Sequence, residues 1–157
     1  MEGEFTRLET NKPETWIYFS WQHICSVIMN RILVIEDDEL IQRIIEKALS
    51  RDDFRVDAVS NGKDAIRKLE ESGYGYQMII TDIMIPYANG LEIVSKVKHR
   101  TEGPPARVII ISNASNEEMV ADAFKLGVDD FLKKPFSPAE LVGKVKKLLA
   151  GGGEASP

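Results

Sequence analysis

Short apolar runs alternate with amphipathic stretches along most of this chain, and that alternation restricts its possible folds more than any other feature. Apolar residues recur at helical spacing in the stretches, whereas the runs are continuously apolar or alternate with a period of two. Such strands, separated by helices, are typical of a parallel sheet covered by helices on both faces. The sequence therefore predicts an α/β domain of five β-α repeats, with strands at residues 31–35, 54–59, 77–81, 107–111 and 130–133.

Polar residues stand where four of the predicted strands end. They are Glu36-Asp37-Asp38 after the first strand, Asp82 after the third, Ser112 after the fourth and Lys134-Pro135 after the fifth. The carboxyl ends of parallel strands share one edge of an open α/β sheet, and ligands bind at that edge. We therefore expect carboxylates, one lysine and one hydroxyl to converge there, a set that suits a divalent cation and a phosphoryl group.

The residue types suggest a role for each member of this predicted site. We interpret Asp82 as a nucleophile that accepts a phosphoryl group as an acyl phosphate. A Mg²⁺ ion would bridge the carboxylate and phosphoryl oxygens, with Asp37 and Asp82 as ligands and Glu36 as a ligand or the holder of a bound water. Lys134 would neutralise one phosphoryl oxygen, and Ser112 would donate a hydrogen bond to another.

Taken one at a time, the same residues have ordinary structural explanations. An acid after a strand commonly caps the next helix, which is the role that we assign to Asp38. A single aspartate in the position of Asp82 is often a turn residue, and a serine such as Ser112 is a common cap. The combination, in this order and at successive strand ends, is what indicates phosphoryl chemistry.

The combination resembles the CheY-like receiver domain of two-component response regulators over about residues 30–150. The matching segments are ILVIEDD (32–38), TDIMIP (81–86) with Gly90, IS (111–112) and KKPF (133–136). The resemblance implies a doubly wound, flavodoxin-like (βα)5 fold, whose five parallel strands have the order 2-1-3-4-5 with helices on both faces.

The resemblance also implies a Mg²⁺ site and a phosphoacceptor. Glu36 and Asp37 match the family's acidic pair, and Asp82 matches the phosphoacceptor. The backbone carbonyl of Met84 matches the third metal ligand from the protein. Glu36 stands where aspartate is usual, but this substitution is frequent and leaves metal binding expected.

Further matches concern the family's switch residues. Ser112 matches the switch hydroxyl and Phe131 the aromatic switch position, although Phe131 lacks the hydroxyl of the tyrosine found in many relatives. Lys134, and not Lys133, matches the family's lysine because it directly precedes a proline, and in this family that proline usually follows a cis peptide bond. Asn113 replaces a usual small residue, which would alter phosphoryl access or lifetime.

The implied function is that of a single-domain response regulator. A histidine kinase or a phosphotransfer protein would pass a phosphoryl group to Asp82, so the chain would catalyse only its own phosphorylation and dephosphorylation. Ser112 would then move toward the phosphoryl group, and Phe131 would turn into the vacated space. The face formed by residues 119–126, 130–133 and 138–149 would change shape and control a downstream protein effector, by shifting a pre-existing equilibrium.

Other functions remain open at this point. The chain could be a receiver-like interaction scaffold that is not phosphorylated, or the receiver fragment of a longer multidomain regulator. A phosphatase with an aspartate nucleophile would often carry a second acid two residues later, where this chain has Met84. A flavodoxin-like flavin binder would need a phosphate-cradling loop after the first strand, where this chain has acids that repel phosphate.

Composition and the chain ends add further expectations. A net charge of −5 argues against binding to nucleic acid irrespective of its base sequence. The single cysteine, Cys25, suggests a reducing compartment, so we expect a cytoplasmic protein. Residues 16–29 are too short and polar to insert in a membrane, since a spanning helix takes ~20 apolar residues.

We divide the chain into three parts. Residues 1–28 form an N-terminal extension, which is either a genuine addition or sequence that is non-native or upstream of the true start. Residues 29–150 form the receiver domain, as a monomer or weak dimer, and residues 151–157 form a flexible tail.

Overall fold

Strands and helices alternate along the part of the chain that this computed structural model describes, namely residues 31–101, 103–113 and 117–151. The strands are β1 (Arg31–Ile35), β2 (Arg55–Val59), β3 (Met78–Thr81), β4 (Arg107–Ser112) and β5 (Asp130–Lys133). The helices are α1 (Glu39–Ser50), α2 (Gly62–Glu71), α3 (Gly90–Lys98), α4 (Glu117–Lys125) and α5 (Pro138–Ala150). The predicted N-terminal extension and most of the predicted tail lie outside the described residues.

The strands form one parallel sheet in the order β2-β1-β3-β4-β5. This order confirms the predicted doubly wound fold. β1 lies inside the sheet, β2 pairs with it on one side, and β3, which follows β2 along the chain, pairs with it on the other. The strand order therefore switches between β1 and β3, and a crevice for ligands opens at the carboxyl ends of strands at such a point.

Alternate residues of each strand pack into two separate cores, one on each face of the sheet. In β1, Ile32 and Val34 pack with residues of α1 and α5, whereas Leu33 and Ile35 pack with residues of α2, α3 and α4. These four side chains are fully buried. Burial on both faces explains why the strands read as continuous apolar runs in the sequence.

Polar side chains fix the starts of the helices. Asp38 precedes α1, and its Oδ1 accepts hydrogen bonds from the backbone N–H groups of Leu40 (2.8 Å) and Ile41 (3.2 Å), which confirms the predicted cap. Ser137 caps α5 in the same way, with Pro138 as the first helical residue. These caps fix where α1 and α5 begin, at the edge of the sheet where polar residues follow the strands.

Three strand boundaries differ from the predictions. β2 begins at Arg55 rather than residue 54, and β3 begins at Met78 rather than residue 77, one residue later in each case. β4 extends to Ser112, which we expected just after the strand. The reason is that Ser112 pairs with Lys133 of β5, so the neighbouring strand prolongs β4 by one residue.

A largely buried carboxylate, with 12% of its side chain exposed, anchors the opposite edge of the sheet. Asp129, directly before β5, accepts hydrogen bonds from Lys98 at the end of α3 (2.6 Å) and from Arg107 at the start of β4 (2.8 Å). It also accepts one from the Val108 backbone N–H (2.8 Å). Burial alone would raise the pKa of Asp129, but these three donors outweigh it and lower that pKa. The cluster ties β5 to α3 and β4.

The helices of the described region are all too short or too polar to cross a lipid bilayer.

Candidate functional site

Two acids lie side by side because sheet-like hydrogen bonding continues beyond the strand ends. The backbone N–H of Asp82, after β3, donates to the Ile35 carbonyl of β1 at 3.0 Å. The backbone N–H of Glu36, after β1, donates to the Val59 carbonyl of β2 at 3.1 Å. The sheet itself therefore holds the backbone of both residues at its carboxyl edge, as the sequence predicted.

Three carboxylates come together at this edge. Glu36, Asp37 and Asp82 each offer one oxygen, and the three oxygens lie within 4.8 Å of one another. Glu36 and Asp82 are buried, whereas Asp37 is exposed and lines an open groove with residues of the loop after β3. The groove leaves the Asp37 side of the acidic cluster open to solvent.

Lys134 provides the cation of the site. Its Nζ lies 2.7 Å from Asp82 Oδ2 and 2.7 Å from Glu36 Oε2, and its side chain is 8% exposed. Burial alone would lower the pKa of Lys134, but the two carboxylates outweigh it and raise that pKa, so the ammonium stays charged. Lys133 is exposed. The structure thus places Lys134, the lysine chosen from the sequence, beside the acids.

The Glu36 carboxylate is buried and has few partners. Its Oε1 accepts a hydrogen bond from the Asp38 backbone N–H at 3.2 Å. Its Oε2 lies 2.7 Å from Lys134 Nζ and accepts no well-aligned hydrogen bond from the described part of the chain. Burial raises the pKa of Glu36, and the Lys134 ammonium only partly opposes that effect. A buried carboxylate oxygen with only the Lys134 ammonium close to it, beside two further carboxylates, fits the oxygen ligands that Mg²⁺ requires.

The loop after β3 is held tightly against the site. The Met84 backbone N–H donates to Asp82 Oδ1 at 3.1 Å, and Met84 lines the groove with Asp37. Gly90 begins α3 at a place where a Cβ atom would lie 2.2 Å from the Asp82 carbonyl oxygen. Only glycine allows this approach, so Gly90 fixes the backbone of Asp82 relative to α3.

A second glycine holds the same loop and was missed in the sequence. The Gly62 backbone N–H donates to the Pro86 carbonyl at 3.0 Å. A Cβ atom on Gly62 would lie 2.4 Å from the Cβ of Ala88. In the sequence, Asn61-Gly62 reads only as the start of a helix, because nothing local shows that α2 begins against the loop after β3.

The two predicted switch residues share one face of the sheet. Ser112 is buried at the end of β4, and its carbonyl accepts a hydrogen bond from the Lys134 backbone N–H at 3.1 Å. Phe131 is half-buried, pairs with Ile110 and packs against the core that contains Ile110. Because Ser112 follows Ile110 by two residues, it lies on that same face. Asn113, next to Ser112, is exposed.

The peptide bond between Lys134 and Pro135 is cis, as the resemblance implied. The structure therefore brings Glu36, Asp37, Asp82 and Lys134 into one cluster, with Met84 on the groove beside it. Ser112 is joined to this cluster through the backbone of Lys134.

Known proteins share this architecture. The sequence model of a family described as "response regulator receiver domain" matches residues 32–146. The solved structure of the BeF3-activated DrrB receiver domain is 30% identical, with a TM-score of 0.69, and the match covers 76% of this chain and 97% of that chain. The receiver domain of the Francisella response regulator 1452 is 28% identical, with a TM-score of 0.69, covering 79% of this chain and 99% of that one.

Curated relatives are longer than this chain. The transcriptional regulatory protein SrrA of Staphylococcus aureus is 32% identical over 120 residues, which cover 76% of this chain and 48% of that protein. The chain thus spans about half the length of the curated relatives that it matches.

Proposed function

This chain belongs to the response regulator receiver domain family of two-component signalling, and from that premise we propose that it is a switch controlled by phosphorylation of Asp82. Receiver domains are signalling domains and not classical enzymes. The single observation that carries the proposal is the buried contact of Lys134 with both Asp82 and Glu36, beside the groove lined by Asp37. A nucleophile, its cation and a route for the phosphoryl group meet there.

In the proposed reaction, Asp82 takes the phosphoryl group from a phosphohistidine of a histidine kinase or phosphotransfer protein. A carboxylate oxygen of Asp82 forms the new P–O bond while the P–N bond of the phosphohistidine breaks. The leaving imidazole nitrogen keeps the bonding electron pair and takes up a proton. Lys134 pairs with one phosphoryl oxygen, and the Ser112 hydroxyl donates a hydrogen bond to another.

Glu36, Asp37, Asp82 and the backbone carbonyl of Met84 are the groups that would hold Mg²⁺. The bound ion supplies the positive charge that allows an anionic nucleophile and an anionic phosphoryl group to approach each other. Support for this assignment comes from the buried Oε2 of Glu36, which accepts no well-aligned hydrogen bond from the described residues, and from the mutual approach of the three carboxylates.

The output of the switch is proposed to be a change in the face made by α4, β5 and α5. Movement of Ser112 toward the phosphoryl group would open space on the sheet face that Phe131 shares, and Phe131 would turn into it. That face would then bind or release a protein effector rather than nucleic acid directly. SrrA is named a transcriptional regulatory protein, whereas the acidic charge of this chain favours a protein target.

Intact-mass measurement after incubation with acetyl phosphate tests the proposal. We expect one Mg²⁺-dependent phosphoryl adduct on the unmodified chain and none on Asp82→Asn. Asp38→Asn is the matched control, because asparagine caps a helix as well as aspartate and Asp38 lies in the same acidic segment. Absence of an adduct while Mg²⁺ still binds would favour a scaffold, and sustained release of inorganic phosphate from a small phosphoester would favour a phosphatase.

A further inference from the structure

Two large apolar side chains are exposed to solvent on the loop that follows Asp82. Met84 is 71% exposed and Tyr87 is 86% exposed. Exposed apolar side chains that cluster beside a site are typical of protein contacts, whereas isolated ones need no explanation. Methionine and tyrosine are also among the residues enriched at the centres of protein interfaces.

The backbone of Tyr87 is in an unfavourable conformation. Its φ is +68°, in the left-handed region, which costs a bulky residue about 1–3 kcal/mol relative to its usual conformations. Glycine or asparagine would adopt this φ more readily. The loop cannot relax, because its neighbours Pro86 and Ala88 are held against Gly62 and its end is held by Gly90. The fold therefore maintains an exposed ring in a fixed place at an energetic cost.

This pair lies along the open groove that Asp37 shares with the loop. The groove is lined by Asp37, which belongs to the acidic cluster, and by loop residues that include Met84, Pro86, Ala88 and Asn89. Met84 is thus part of the groove wall, and Tyr87 lies between two other wall residues. A small phosphodonor in the groove would contact only its wall. A protein that brings a phosphohistidine to Asp82 would also cover surface around the groove, where the Tyr87 ring is exposed.

The opposite side of the groove has the opposite chemistry. Asp37, Asp38 and Glu39 are all exposed where β1 leads into α1. A partner that fills the groove therefore meets carboxylates on one side and apolar side chains on the other. Its complementary surface would carry cationic side chains on one side of the phosphohistidine and apolar side chains on the other.

We propose that Met84 and Tyr87 form a docking rim that receives the apolar surface beside the phosphohistidine of the phosphodonor protein. The proposal rests on the proposed function, since it assumes that Asp82 is phosphorylated by a protein. The docking rim would contribute to the choice of donor, and not to the chemistry of transfer. Loss of the docking rim would therefore slow phosphoryl transfer from protein donors but not from small phosphodonors.

Parallel kinetics with a small donor and a protein donor test the docking rim. The variant is Tyr87→Asn, which removes the ring and keeps a residue suited to the left-handed φ. The protein probe is the purified, autophosphorylated histidine kinase that phosphorylates the unmodified chain fastest in a panel of such kinases. The small probe is acetyl phosphate. The matched control is His99→Asn, which removes an exposed ring just after α3, at the opposite edge of the sheet.

We expect Tyr87→Asn to lower kcat/KM for transfer from the kinase about tenfold, chiefly through KM, as for the loss of one interface anchor. Uptake from acetyl phosphate should stay within about twofold, as should both rates in His99→Asn. If kcat/KM for transfer from the kinase is the same for Tyr87→Asn and the unmodified chain, the docking-rim proposal is wrong. It is also wrong if the unmodified chain accepts acetyl phosphate but no phosphoryl group from any kinase of the panel. Failure of the unmodified chain to accept acetyl phosphate would instead overturn the proposed function.

Discussion

The ammonium group of Lys134 lies 2.7 Å from the carboxylate of Asp82, with 8% of the lysine side chain exposed. The same ammonium group lies 2.7 Å from Glu36, whose side chain is 2% exposed. One cation therefore serves two buried carboxylates, and the nearby Asp37 adds a third negative charge. The cluster has an excess of negative charge, which makes it both sensitive to the loss of Lys134 and attractive to a divalent cation.

Replacing Lys134 with alanine should destabilise the fold. Glu36 and Asp82 would be left buried without their cation, and removal of one partner of a buried ion pair costs about 3–5 kcal/mol. We expect the free energy of unfolding, measured by urea titration without divalent ions, to fall by about 3 kcal/mol. Addition of Mg²⁺ should restore part of the loss, because the ion would replace the missing positive charge.

Lys133→Ala is the control for that measurement. Lys133 is the adjacent lysine and is exposed, so its loss should change the free energy of unfolding by no more than about 0.5 kcal/mol. Equal effects of the two substitutions would show that the buried contact of Lys134 does not stabilise the site.

Adding a methyl group at Gly90 should lower the stability of the fold, whereas adding one at Gly143 should raise it. A Cβ atom at Gly90 would lie 2.2 Å from the Asp82 carbonyl oxygen, whereas a Cβ atom at Gly143 in α5 would meet nothing within 4 Å. We expect Gly90→Ala to lower stability by about 1–3 kcal/mol through overpacking. Gly143→Ala should raise it by about 0.5–1 kcal/mol, because alanine favours the helix interior. Thermal and urea unfolding measure both, and stabilisation by Gly90→Ala would contradict the close approach.

The Asp129 cluster should make stability depend on pH in the acid range. The folded state lowers the pKa of Asp129 below its ordinary value of 3.8, so the folded state binds this proton less tightly than the unfolded state. The stabilisation that Asp129 contributes is therefore complete at pH values well above 3.8, and it is lost as the pH falls through the lowered pKa of the folded state. Asp129→Asn should cost about 2 kcal/mol near neutral pH and progressively less below about pH 4. Urea unfolding of both proteins across this range measures the difference, and a difference independent of pH would contradict the assignment.

Much of the site was predictable because it follows from strand ends. Asp82 and Lys134 each follow an apolar run, and parallel strands bring such positions to one edge whatever their separation in sequence. Asp38 was predictable as a cap because its hydrogen bonds reach only two and three residues along the chain. The local sequence pattern, together with the rule that parallel strands end at one edge of the sheet, was sufficient to predict where these residues lie.

The remaining features depend on contacts between distant segments, which no local pattern encodes. Asp129 looks like an ordinary loop acid, and only the fold brings Lys98 and Arg107 to it. Gly62 reads as a helix start, although its main constraint comes from Ala88 in another loop. The one-residue extension of β4 to Ser112 likewise depends on its neighbour Lys133.

The Asp129 anchor has a mechanical consequence for β5. This strand is tied at its first end to α3 and β4, while Lys134 follows its last residue at the opposite edge of the sheet. The Asp129 contacts and the pairing of all four β5 residues with β4 fix the position of this strand, and with it the place where Lys134 follows. Lys144 of α5 donates to both oxygens of the Asp130 carboxylate, at 2.8 and 2.9 Å, so α5 is tied to the first residue of the same strand. β5, α3, β4 and α5 are therefore held together at the edge of the sheet opposite Lys134.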